Sequence, residues 1–337
     1  MESVVIYGGG NIAHSVAASI ARVKPVAVIT RRPEYWGRRL TCEQGGVVWS
    51  TRYNISATAS LEPLNDADVV FILLPQFAHE EVVENCCQKL KSGSTVVFAP
   101  GPARCIEYAK KFAKINVRVV AFQRVPFIAR IIDYGHSVRC SLPRRLHKLV
   151  VSDKGMKDEW RARSQEWFSG EVEYLSSFLS LVFSNSNPLL HPARLFVLLK
   201  NGDNGAYDRC PYFYAEWTDE SSELYVSADM EMQKVYETCS PESFVHDYES
   251  VLRHYEVASP AELTKKIRGI ASFKTIMAPW KKTCGGRWIP DPESRYFTED
   301  IPYGTRVILS YAQAADLSTP IIEMFAKLPA IPNPYMR

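Results

Sequence analysis

The chain has 337 residues, of which 46% are hydrophobic and 23% charged, and its 40 basic and 37 acidic residues leave a net charge of +3. This composition is typical of a folded soluble protein, and the length favours two domains over one. The near-neutral charge disfavours nucleic acid as a partner, and no apolar run reaches the roughly 18 residues that span a membrane.

Eight cysteines are spread along the chain without a C-x-x-C pair and without a nearby histidine at metal-ligand spacing. Two of them, Cys86 and Cys87, are adjacent, which is a poor arrangement for a disulfide framework, and the chain does not open on a signal peptide. We therefore expect reduced thiols, no metal site and a cytoplasmic location.

The first half of the chain alternates apolar runs with helical patterns. The runs are continuously apolar, which is typical of parallel strands covered by helices on both faces. They are "SVVIYG" (3–8), "PVAVIT" (25–30), "DVVFILL" (68–74) and "STVVFAP" (94–100). The segment 78–93 between two of them has acids in its first turn, bases in its last turn and a final glycine, as a crossover helix does. This order predicts an α/β fold with a doubly wound, Rossmann-type parallel sheet.

A glycine motif joins the first predicted strand to the first predicted helix. In Gly8-x-Gly10-x-x-Ala13, Gly8 permits a tight turn and Gly10 permits close approach of a pyrophosphate. Ala13 keeps the helix close to the strand, and the amino terminus of the helix offers free N–H groups to phosphate oxygens. We expect this loop, including Asn11 and Ile12, to bind a dinucleotide.

The end of the second predicted strand indicates which dinucleotide is bound. An NAD site usually carries an acid there for the ribose hydroxyls, but this chain reads Thr30-Arg31-Arg32. Two guanidiniums suit a 2′-phosphate, so we expect NADP to be preferred over NAD. The alternative is that both arginines are solvated loop charges.

Two further residues follow the third apolar run, at the carboxyl end of a parallel strand where ligands of open sheets collect. Pro75 and Gln76 are therefore expected to line the ribose and nicotinamide part of the cofactor site. His79 follows them in the first turn of the crossover helix, where capping or surface packing is the simpler role.

The pattern changes after residue 123. We expect a few further strands, some of them antiparallel, with the sheet ending near Asp153, and a helix-rich second domain without useful strands. The predicted domains are 1–180, which binds NAD(P), and 181–337, which carries the substrate and catalytic residues.

A nicotinamide enzyme needs a group that exchanges a proton, and histidine is the side chain that changes its charge near neutral pH. Of seven histidines, His191 in "NSNPLLHPARLF" stands just past the predicted boundary, where it would face the cofactor crevice. Pro192 suits the first turn of a helix and would place His191 near its amino terminus. A packing or capping role is the alternative.

Several short motifs together resemble the octopine/nopaline (opine) dehydrogenase family. They are G-x-G-N-x-A at 8–13, "LPQFAHEEVV" at 74–83, N-x-x-x-H-P at 187–192, "YFYAEWTDESSEL" at 212–224 and "RYFTEDIPYG" at 295–304. The resemblance implies a second, all-helical domain similar to that of 6-phosphogluconate dehydrogenases. The implied reaction is reductive condensation of the amine of an amino acid with a 2-keto acid, using NADP or NAD.

The resemblance also implies site residues. The acid/base histidine of the family matches His191, and its arginine and aspartate match Arg295 and Asp300. Asp300 would hold the imidazole in one tautomer, and Arg295 would clamp a substrate carboxylate. The substrate-binding residues are expected to include Asn187, Tyr214 and Trp217, although such aromatic residues can equally belong to a core.

Two other functions stay open from the sequence. A ketopantoate-reductase-like or hydroxyacid dehydrogenase would use a lysine early in the helical domain, for which Lys200 is available. A non-catalytic protein that senses NADP is the other alternative, because this scaffold hosts many functions. The expected partners are small molecules only, with neither nucleic acid nor membrane, and a homodimer is a guess.

Overall fold

The computed structural model describes residues 2–203 and 205–328 and divides the chain into two compact units, Met1–Leu181 and Val182–Arg337. The predicted domain boundary between residues 180 and 181 lies next to this division.

The first unit contains most of the strands. In chain order, the strands are β1 Val4–Tyr7, β2 Val26–Ile29, β3 Thr41–Gln44, β4 Val47–Ser50, β5 Ile55–Thr58, β6 Val69–Ile72, β7 Thr95–Phe98, β8 Arg118–Phe122, β9 Ala129–Asp133, β10 Ser137–Cys140, β11 Leu146–Val151, β12 Glu171–Tyr174, β13 Trp280–Lys282 and β14 Trp288–Pro290.

Helices follow the strands of the first unit and dominate the second. They are α1 Asn11–Ile20, α2 His79–Lys89, α3 Cys105–Ala113, α4 Lys157–Phe168, α5 Phe178–Phe183, α6 Asn187–Lys200, α7 Asp219–Cys239, α8 Pro241–Asp247, α9 Val251–His254, α10 Pro260–Gly269, α11 Arg295–Thr298, α12 Arg306–Ala314 and α13 Pro320–Ala326, with a π-helical turn Ile301–Thr305 between α11 and α12.

An eight-stranded sheet with the order β12-β11-β8-β7-β6-β1-β2-β5 forms the centre of the first unit. All neighbouring strands are parallel except β8 and β11. Strands β6 and β7 are buried along their whole length, which agrees with their continuously apolar sequences. The expected doubly wound, Rossmann-type fold is confirmed.

A second, four-stranded sheet with the order β4-β3-β10-β9 packs on α1. Helix α1 contacts β1 and β2 on one side and β9 and β10 on the other, so every residue from Ala13 to Ile20 is buried. The small alanine and serine side chains of α1 allow both sheets to approach it.

Strands β3 and β4 of this second sheet were not predicted from the sequence. Strands β3 and β4 form a hairpin around Gly45 and Gly46, which have φ angles of +59° and +79°. Such a two-residue glycine turn is a hairpin signal, but the flanking runs are short, and Val47 and Val48 of the edge strand β4 are 62% and 65% exposed. An edge strand with exposed valines carries little of the burial pattern on which strand prediction depends.

The expected end of the large sheet was wrong, and the helical second unit contains one short hairpin. The large sheet does not end near Asp153, because β12 adds a last strand and α4 packs Trp160, Trp167 and Phe168 into the core of the first unit. The second unit is helical apart from the hairpin of β13 and β14. Three-residue strands are too short to show periodicity in the sequence.

Helix α7, the longest in the second unit, contacts α6, α10 and α13. Its N-cap is Thr218, whose hydroxyl accepts a hydrogen bond from the Ser221 amide. Within the ranges 2–203 and 205–328, no helix combines the length and hydropathy that a membrane span requires. The same residues contain no group of three or more histidine, cysteine or acidic side chains that could hold a metal ion.

Candidate active site

The glycine loop between β1 and α1 has the geometry of a phosphate cradle. Gly8 has φ +144°, and a Cβ atom built there would lie 2.5 Å from the carbonyl oxygen of Leu73, so only glycine fits. Gly10 is the N-cap of α1, and a Cβ built on it meets no atom within 4 Å. The backbone is therefore open to a ligand where the free N–H groups of α1 point.

Gly9, which sequence analysis left without a role, is also constrained. A Cβ built on it would lie 2.5 Å from the hydroxyl oxygen of Thr30 and 2.6 Å from that of Tyr134. These two hydroxyls lie 3.2 Å apart. The middle glycine of the GGG stretch therefore lets the loop pack against the end of β2 and the turn after β9.

A cavity of about 650 Å³ opens above this loop, within the usual range for small-molecule sites. Its wall includes seven of the ten residues predicted to bind the cofactor: Gly8, Gly10, Asn11, Thr30, Arg31, Arg32 and Pro75. The volume, the glycine cradle and the helix amino terminus fit a dinucleotide.

The other three predicted cofactor residues lie outside the wall of the cavity. Ala13 is fully buried in the core of the first unit, and Ile12 packs against that core. The side-chain oxygen of Gln76 accepts a hydrogen bond from the Ala103 amide at 3.2 Å. Asn11 does line the cavity, but its side-chain oxygen is bonded to the amide of Ile131 at 2.9 Å.

Two residues of the cavity wall come from the second sheet and were missed. Ile131 belongs to β9, and Tyr134 belongs to the turn that follows it. Both lie more than 100 residues beyond the glycine loop in the chain. The only local signal was Gly135, which adopts φ +75° in that turn, so no spacing motif could have linked them to the cofactor site.

Arg31 and Arg32 are exposed at the mouth of this cavity. The guanidinium of Arg32 lies over the ring of Tyr134, 5.7 Å from its centre. Neither guanidinium has a carboxylate within 4 Å among the residues that the structure describes. Both are free to bind an anion.

Two buried histidines support the first unit instead of lining the cavity. The expectation of capping or surface packing for His79 was wrong, because it is 2% exposed and its Nε2 bonds the Leu74 carbonyl at 2.9 Å. Burial lowers the pKa of His79. His14 is fully buried, and burial lowers its pKa to about 4 despite a hydrogen bond to Gly10.

In the second unit, His191 lies on helix α6, which begins earlier than expected. The helix starts at Asn187, and Pro188 occupies its first turn, whereas Pro192 lies inside the helix. The expected position of His191 near the N-cap was therefore wrong. The ring is 8% exposed and packs 4.4 Å from the ring of Tyr296, measured between ring centres.

Both ring nitrogens of His191 are hydrogen-bonded. Nδ1 lies 2.7 Å from Oδ2 of Asp300, and Nε2 lies 2.9 Å from the hydroxyl of Tyr214. A carboxylate can only accept, so Nδ1 carries a proton and donates it to Asp300. In the neutral ring, Nε2 is then the acceptor for the Tyr214 hydroxyl. The arrangement fixes one tautomer and leaves Nε2 as the position that gains or loses a proton.

The π-helical turn at 301–305 positions Asp300 against His191. The amide of Thr305 donates to the carbonyl of Asp300 at 2.9 Å, and the Thr305 hydroxyl donates to the carbonyl of Pro188 at 2.6 Å. Gly304 permits this contact, since a Cβ there would lie 2.5 Å from Cγ of Pro188. Isolated π-turns often mark functional sites.

The tyrosines around His191 stay protonated. Burial is the main cause that raises the pKa of Tyr214, and the charges of neighbouring groups add to it. Burial and the charge of Asp300 likewise raise the pKa of Tyr296. Both hydroxyls therefore serve as neutral hydrogen-bonding groups. Sequence analysis missed Tyr296, although it follows Arg295 within the same motif.

Arg295, the first residue of α11, is exposed. Its guanidinium makes neither a hydrogen bond nor an ion pair with any residue in the described part of the chain. It differs in this respect from Asp300, which is committed to His191. The free guanidinium is available to a substrate carboxylate.

The remaining predicted substrate residues differ in exposure. Trp217 is fully buried, and its indole N–H donates to the Ser222 hydroxyl, so its predicted substrate contact is wrong. The ring instead stacks against Tyr214 with their centres 6.1 Å apart. Asn187 is exposed at the start of α6, where its role stays a prediction.

Comparison with known proteins matches both units. Residues 174–330 match the model for the "NAD/NADP octopine/nopaline dehydrogenase, alpha-helical domain", and residues 3–99 match "NADP oxidoreductase coenzyme F420-dependent". Tauropine dehydrogenase of Arabella iricolor is 24% identical over 96% of this chain and 89% of its own length. Octopine dehydrogenase of Pecten maximus is 22% identical over 94% and 86%, respectively.

The second unit matches the helical domain of the octopine/nopaline (opine) dehydrogenase family over most of its length. The expected enzyme class, an NAD(P)-dependent oxidoreductase, is confirmed by relatives that are named as opine-type dehydrogenases.

Solved structures of the opine dehydrogenase family share the fold. A structure of octopine dehydrogenase with NADH and L-arginine has a TM-score of 0.83 at 22% identity, covering 97% of this chain and 88% of that one. A 2-dehydropantoate 2-reductase from Geobacter metallireducens has a TM-score of 0.65 at 13% identity, covering 97% and 98%. The fold therefore also extends to the rival enzyme class.

Proposed function

We propose that this opine dehydrogenase-like oxidoreductase condenses the amine of an amino acid with a 2-keto acid and reduces the product, with NADPH preferred over NADH. The observation that carries the proposal is the pairing of His191 with Asp300 at 2.7 Å on a buried helix. A histidine held in one tautomer by a carboxylate is the arrangement that proton transfer at the opposite nitrogen requires.

The residues of the first unit suit the cofactor. The loop at Gly8 and Gly10 would hold its pyrophosphate, and Arg31 and Arg32 would bind the 2′-phosphate that distinguishes NADP from NAD. The nicotinamide, when bound, supplies the hydride. The octopine dehydrogenase structure contains NADH, so the preference of this chain rests on its own two arginines.

The residues of the second unit move the proton and hold the substrate. His191 exchanges a proton at Nε2 with the oxygen or nitrogen of the reacting carbon, and Asp300 stabilises the imidazolium that results. Arg295 binds the carboxylate of the keto acid through two parallel hydrogen bonds. The Tyr214 hydroxyl occupies Nε2 until the substrate replaces it.

The reaction is tested by measuring NADPH oxidation with a panel of 2-keto acids, each with and without a panel of amino acids. Turnover that requires both partners supports reductive condensation. Turnover with the keto acid alone would instead establish a hydroxyacid dehydrogenase. Absence of turnover with every pair, in a protein that binds NADPH tightly, would leave the NADP-sensing alternative.

The role of the pair is tested with Asp300→Asn, which keeps the shape of the side chain but removes its charge. We expect kcat to fall between about 10²- and 10⁴-fold, with the Kd of NADPH unchanged. Glu293→Gln, an exposed change on the same segment, is the control and should keep full activity. Equal activity of both variants would remove Asp300 from the mechanism.

The cofactor preference is tested by titrating NADPH and NADH against the protein. Arg31→Ala and Arg32→Ala should each weaken the affinity for NADPH by at least about tenfold, because each loses one charge-assisted contact. The affinity for NADH should stay nearly unchanged. Arg38→Ala, an exposed arginine outside the cavity wall, is the control. Equal or tighter binding of NADH to the unaltered protein contradicts the preference.

No observation favours a lysine-dependent mechanism on this scaffold. Lys200 is 58% exposed at the last turn of α6, and its ammonium pairs with Glu220 at 2.8 Å. It follows His191 by nine residues, roughly 13 Å along the helix. Lys200→Ala should therefore keep full activity. A homodimer, to be checked by sedimentation, and a cytoplasmic location stay predictions.

A further inference from the structure

A second cavity, of about 630 Å³, lies within the helical unit and does not include His191, Asp300 or Arg295. Its wall combines apolar and polar residues from the carboxyl half of α6 and the segment that leads into α7. The volume again suits a small molecule. The residue that distinguishes this cavity is Arg194.

Arg194 is a buried cation without a counter-charge. The residue is only 3% exposed, and Nε donates to the carbonyl of Phe213 at 3.0 Å. Its two terminal nitrogens make no hydrogen bond, and no carboxylate lies within 4 Å, among residues 2–203 and 205–328. Burial lowers the pKa of Arg194 to about 10, so the side chain stays charged at neutral pH.

The acid whose charge acts on Arg194, Glu216, already has other partners. Glu216 also lines the cavity, but one of its oxygens is bonded to Arg209 at 2.5 Å and the other to the Tyr212 amide at 3.2 Å. The Glu216–Arg209 pair is therefore neutral as a unit. Arg194 remains the uncompensated charge of the wall, and an unpaired buried charge is costly.

We infer that this cavity binds a small carboxylate, such as an amino acid or a short organic acid, on the two terminal nitrogens of Arg194. With Nε held by Phe213, the terminal pair offers two parallel N–H groups, which match the two oxygens of a carboxylate. The carboxylate of Asp208 in the wall disfavours a multiply charged anion such as phosphate. The site is separate from the proposed reaction and does not depend on it.

The site is positioned to influence His191. Arg194 follows His191 by three residues on α6, and Phe213, whose carbonyl it binds, packs edge-on against the ring of His191 at 5.7 Å between centres. Tyr214, the next residue, bonds Nε2 of His191. Occupation of the cavity is therefore linked to the acid/base residue through one short segment.

The test observes Arg194 directly. Full-length protein with ¹⁵N-labelled arginine side chains is titrated with acetate, with glycine and with inorganic phosphate, and sodium chloride serves as the ionic-strength control. We expect the guanidinium signal of Arg194 to shift saturably with acetate and glycine and to respond more weakly to phosphate. If the Arg194 signal shifts no more with acetate or glycine than with chloride, the site is ruled out. If phosphate binds more tightly than acetate, the proposed ligand class is wrong.

Two variants identify the signal and the ligand contact. Arg194→Met removes the charge at similar length and should abolish the saturable response. Arg194→Lys should weaken the affinity for acetate by about tenfold, because one charge-assisted hydrogen bond is lost. If Arg194→Met does not fold, the lysine variant alone decides. Unchanged acetate binding in either folded variant contradicts the inference.

A matched control is available in Arg268. Its Nε also donates to a main-chain carbonyl, that of Trp217, at 2.6 Å, but the residue is exposed and lies outside the cavity. The Arg268 signal should therefore shift no more with acetate or glycine than with sodium chloride. Arg295→Met should keep the Arg194 response, which separates this site from the proposed substrate clamp. Loss of the response in that variant would show that one site had been counted as two.

Discussion

At the scale of single residues, His14 connects two parts of the first unit. Its Nδ1 donates to the carbonyl of Gly10 at 2.9 Å, and its Nε2 accepts from the amide of Gly135 at 2.8 Å. The second bond requires the neutral ring, because a proton on Nε2 would remove the acceptor. The pKa of about 4 agrees with that requirement.

This histidine makes stability depend on pH. Since the unfolded chain binds a proton with the ordinary histidine pKa of about 6.5 and the folded chain only near 4, the unfolded state binds more protons between these values. Stability is therefore full above pH 6.5 and falls as the pH is lowered. Between pH 7 and 5 we expect a loss of about 2 kcal/mol from His14 alone.

The measurement is urea unfolding at pH 7 and pH 5. His79 and His147, whose pKa values burial also lowers, add to the loss in the same direction. His14→Gln should reduce the difference between the two pH values by about 2 kcal/mol, whereas His246→Gln, on an exposed site, should leave it unchanged. A pH dependence of equal size in His14→Gln and in the unaltered protein would contradict the assignment.

Different glycines of the loop should affect folding and cofactor binding. Gly8→Ala should destabilise the protein because of its φ of +144° and its contact with Leu73. Gly10→Ala has open space and an ordinary φ of −87°, so the free energy of unfolding should change by less than about 1 kcal/mol. The added methyl group would nevertheless occupy the space in which we propose that the pyrophosphate binds.

We therefore expect Gly10→Ala to weaken the affinity for NADPH by at least about tenfold, as measured by fluorescence titration. Gly9→Ala should affect both properties, because its Cβ would press on Thr30 and Tyr134. Full NADPH affinity in Gly10→Ala would move the cofactor away from this loop.

Candidate site residues could be identified from the sequence only where a local motif included them. Gly8 and Gly10 follow from their place between a strand and a helix, and the resemblance to the family pointed to His191 and Asp300. Trp217 was misplaced because an aromatic residue in a motif looks the same whether its ring lies in a pocket or in the core. Tyr134 and Arg194 depend on neighbours distant in sequence.

At the scale of elements, the π-helical turn after α11 controls the distance between Asp300 and His191. Gly304→Ala would place a methyl group 2.5 Å from Cγ of Pro188, and a proline ring in a helix cannot move aside easily. The turn must then shift away from α6. We expect kcat to fall at least about tenfold while the Kd of NADPH stays unchanged.

Gly269→Ala is the matched control, because a Cβ at the end of α10 meets no atom within 4 Å. That variant should keep its activity. If Gly304→Ala is fully active, the close contact with Pro188 does not hold His191 and Asp300 together. Sequence could not foresee this turn, since an i to i+5 hydrogen bond has no periodic signature in so short a segment.

Elements with strong periodicity were predicted well. Strands β1, β2, β6 and β7 and helices α1 and α2 lie within or close to the runs that indicated them. Helix α6 was recognised, but its start was placed too late because two prolines, Pro188 and Pro192, both suit a first turn. The tertiary contact of Thr305 with Pro188 is consistent with the earlier start.

At the scale of the whole molecule, the chain order of elements was enough to predict the fold class. Alternating apolar strands and helices indicate a parallel sheet, and the helix-rich remainder indicates a second unit. The extent of the large sheet was underestimated, because β12 and α4 carry charged residues on their exposed faces. Their burial of Trp160 and Trp167 is visible only in the folded unit.

The division into units predicts that a fragment of residues 1–181 folds and binds NADPH with the affinity of the full chain. A fragment of residues 1–153 lacks α4 and β12 and exposes the core surface that Trp160, Trp167 and Phe168 cover. It should aggregate or stay unfolded by circular dichroism. A stable fragment 1–153 would show that these elements are dispensable.

Strand β4 has a consequence for handling the protein. It is the end strand of its sheet, and Val47 and Val48 leave it more than half exposed, which makes its open backbone edge a template for pairing with another chain. Concentrated solutions should scatter light increasingly with time, and Val48→Lys should suppress this by placing a charge on the edge. Crystallisation trials would therefore begin best with the lysine variant.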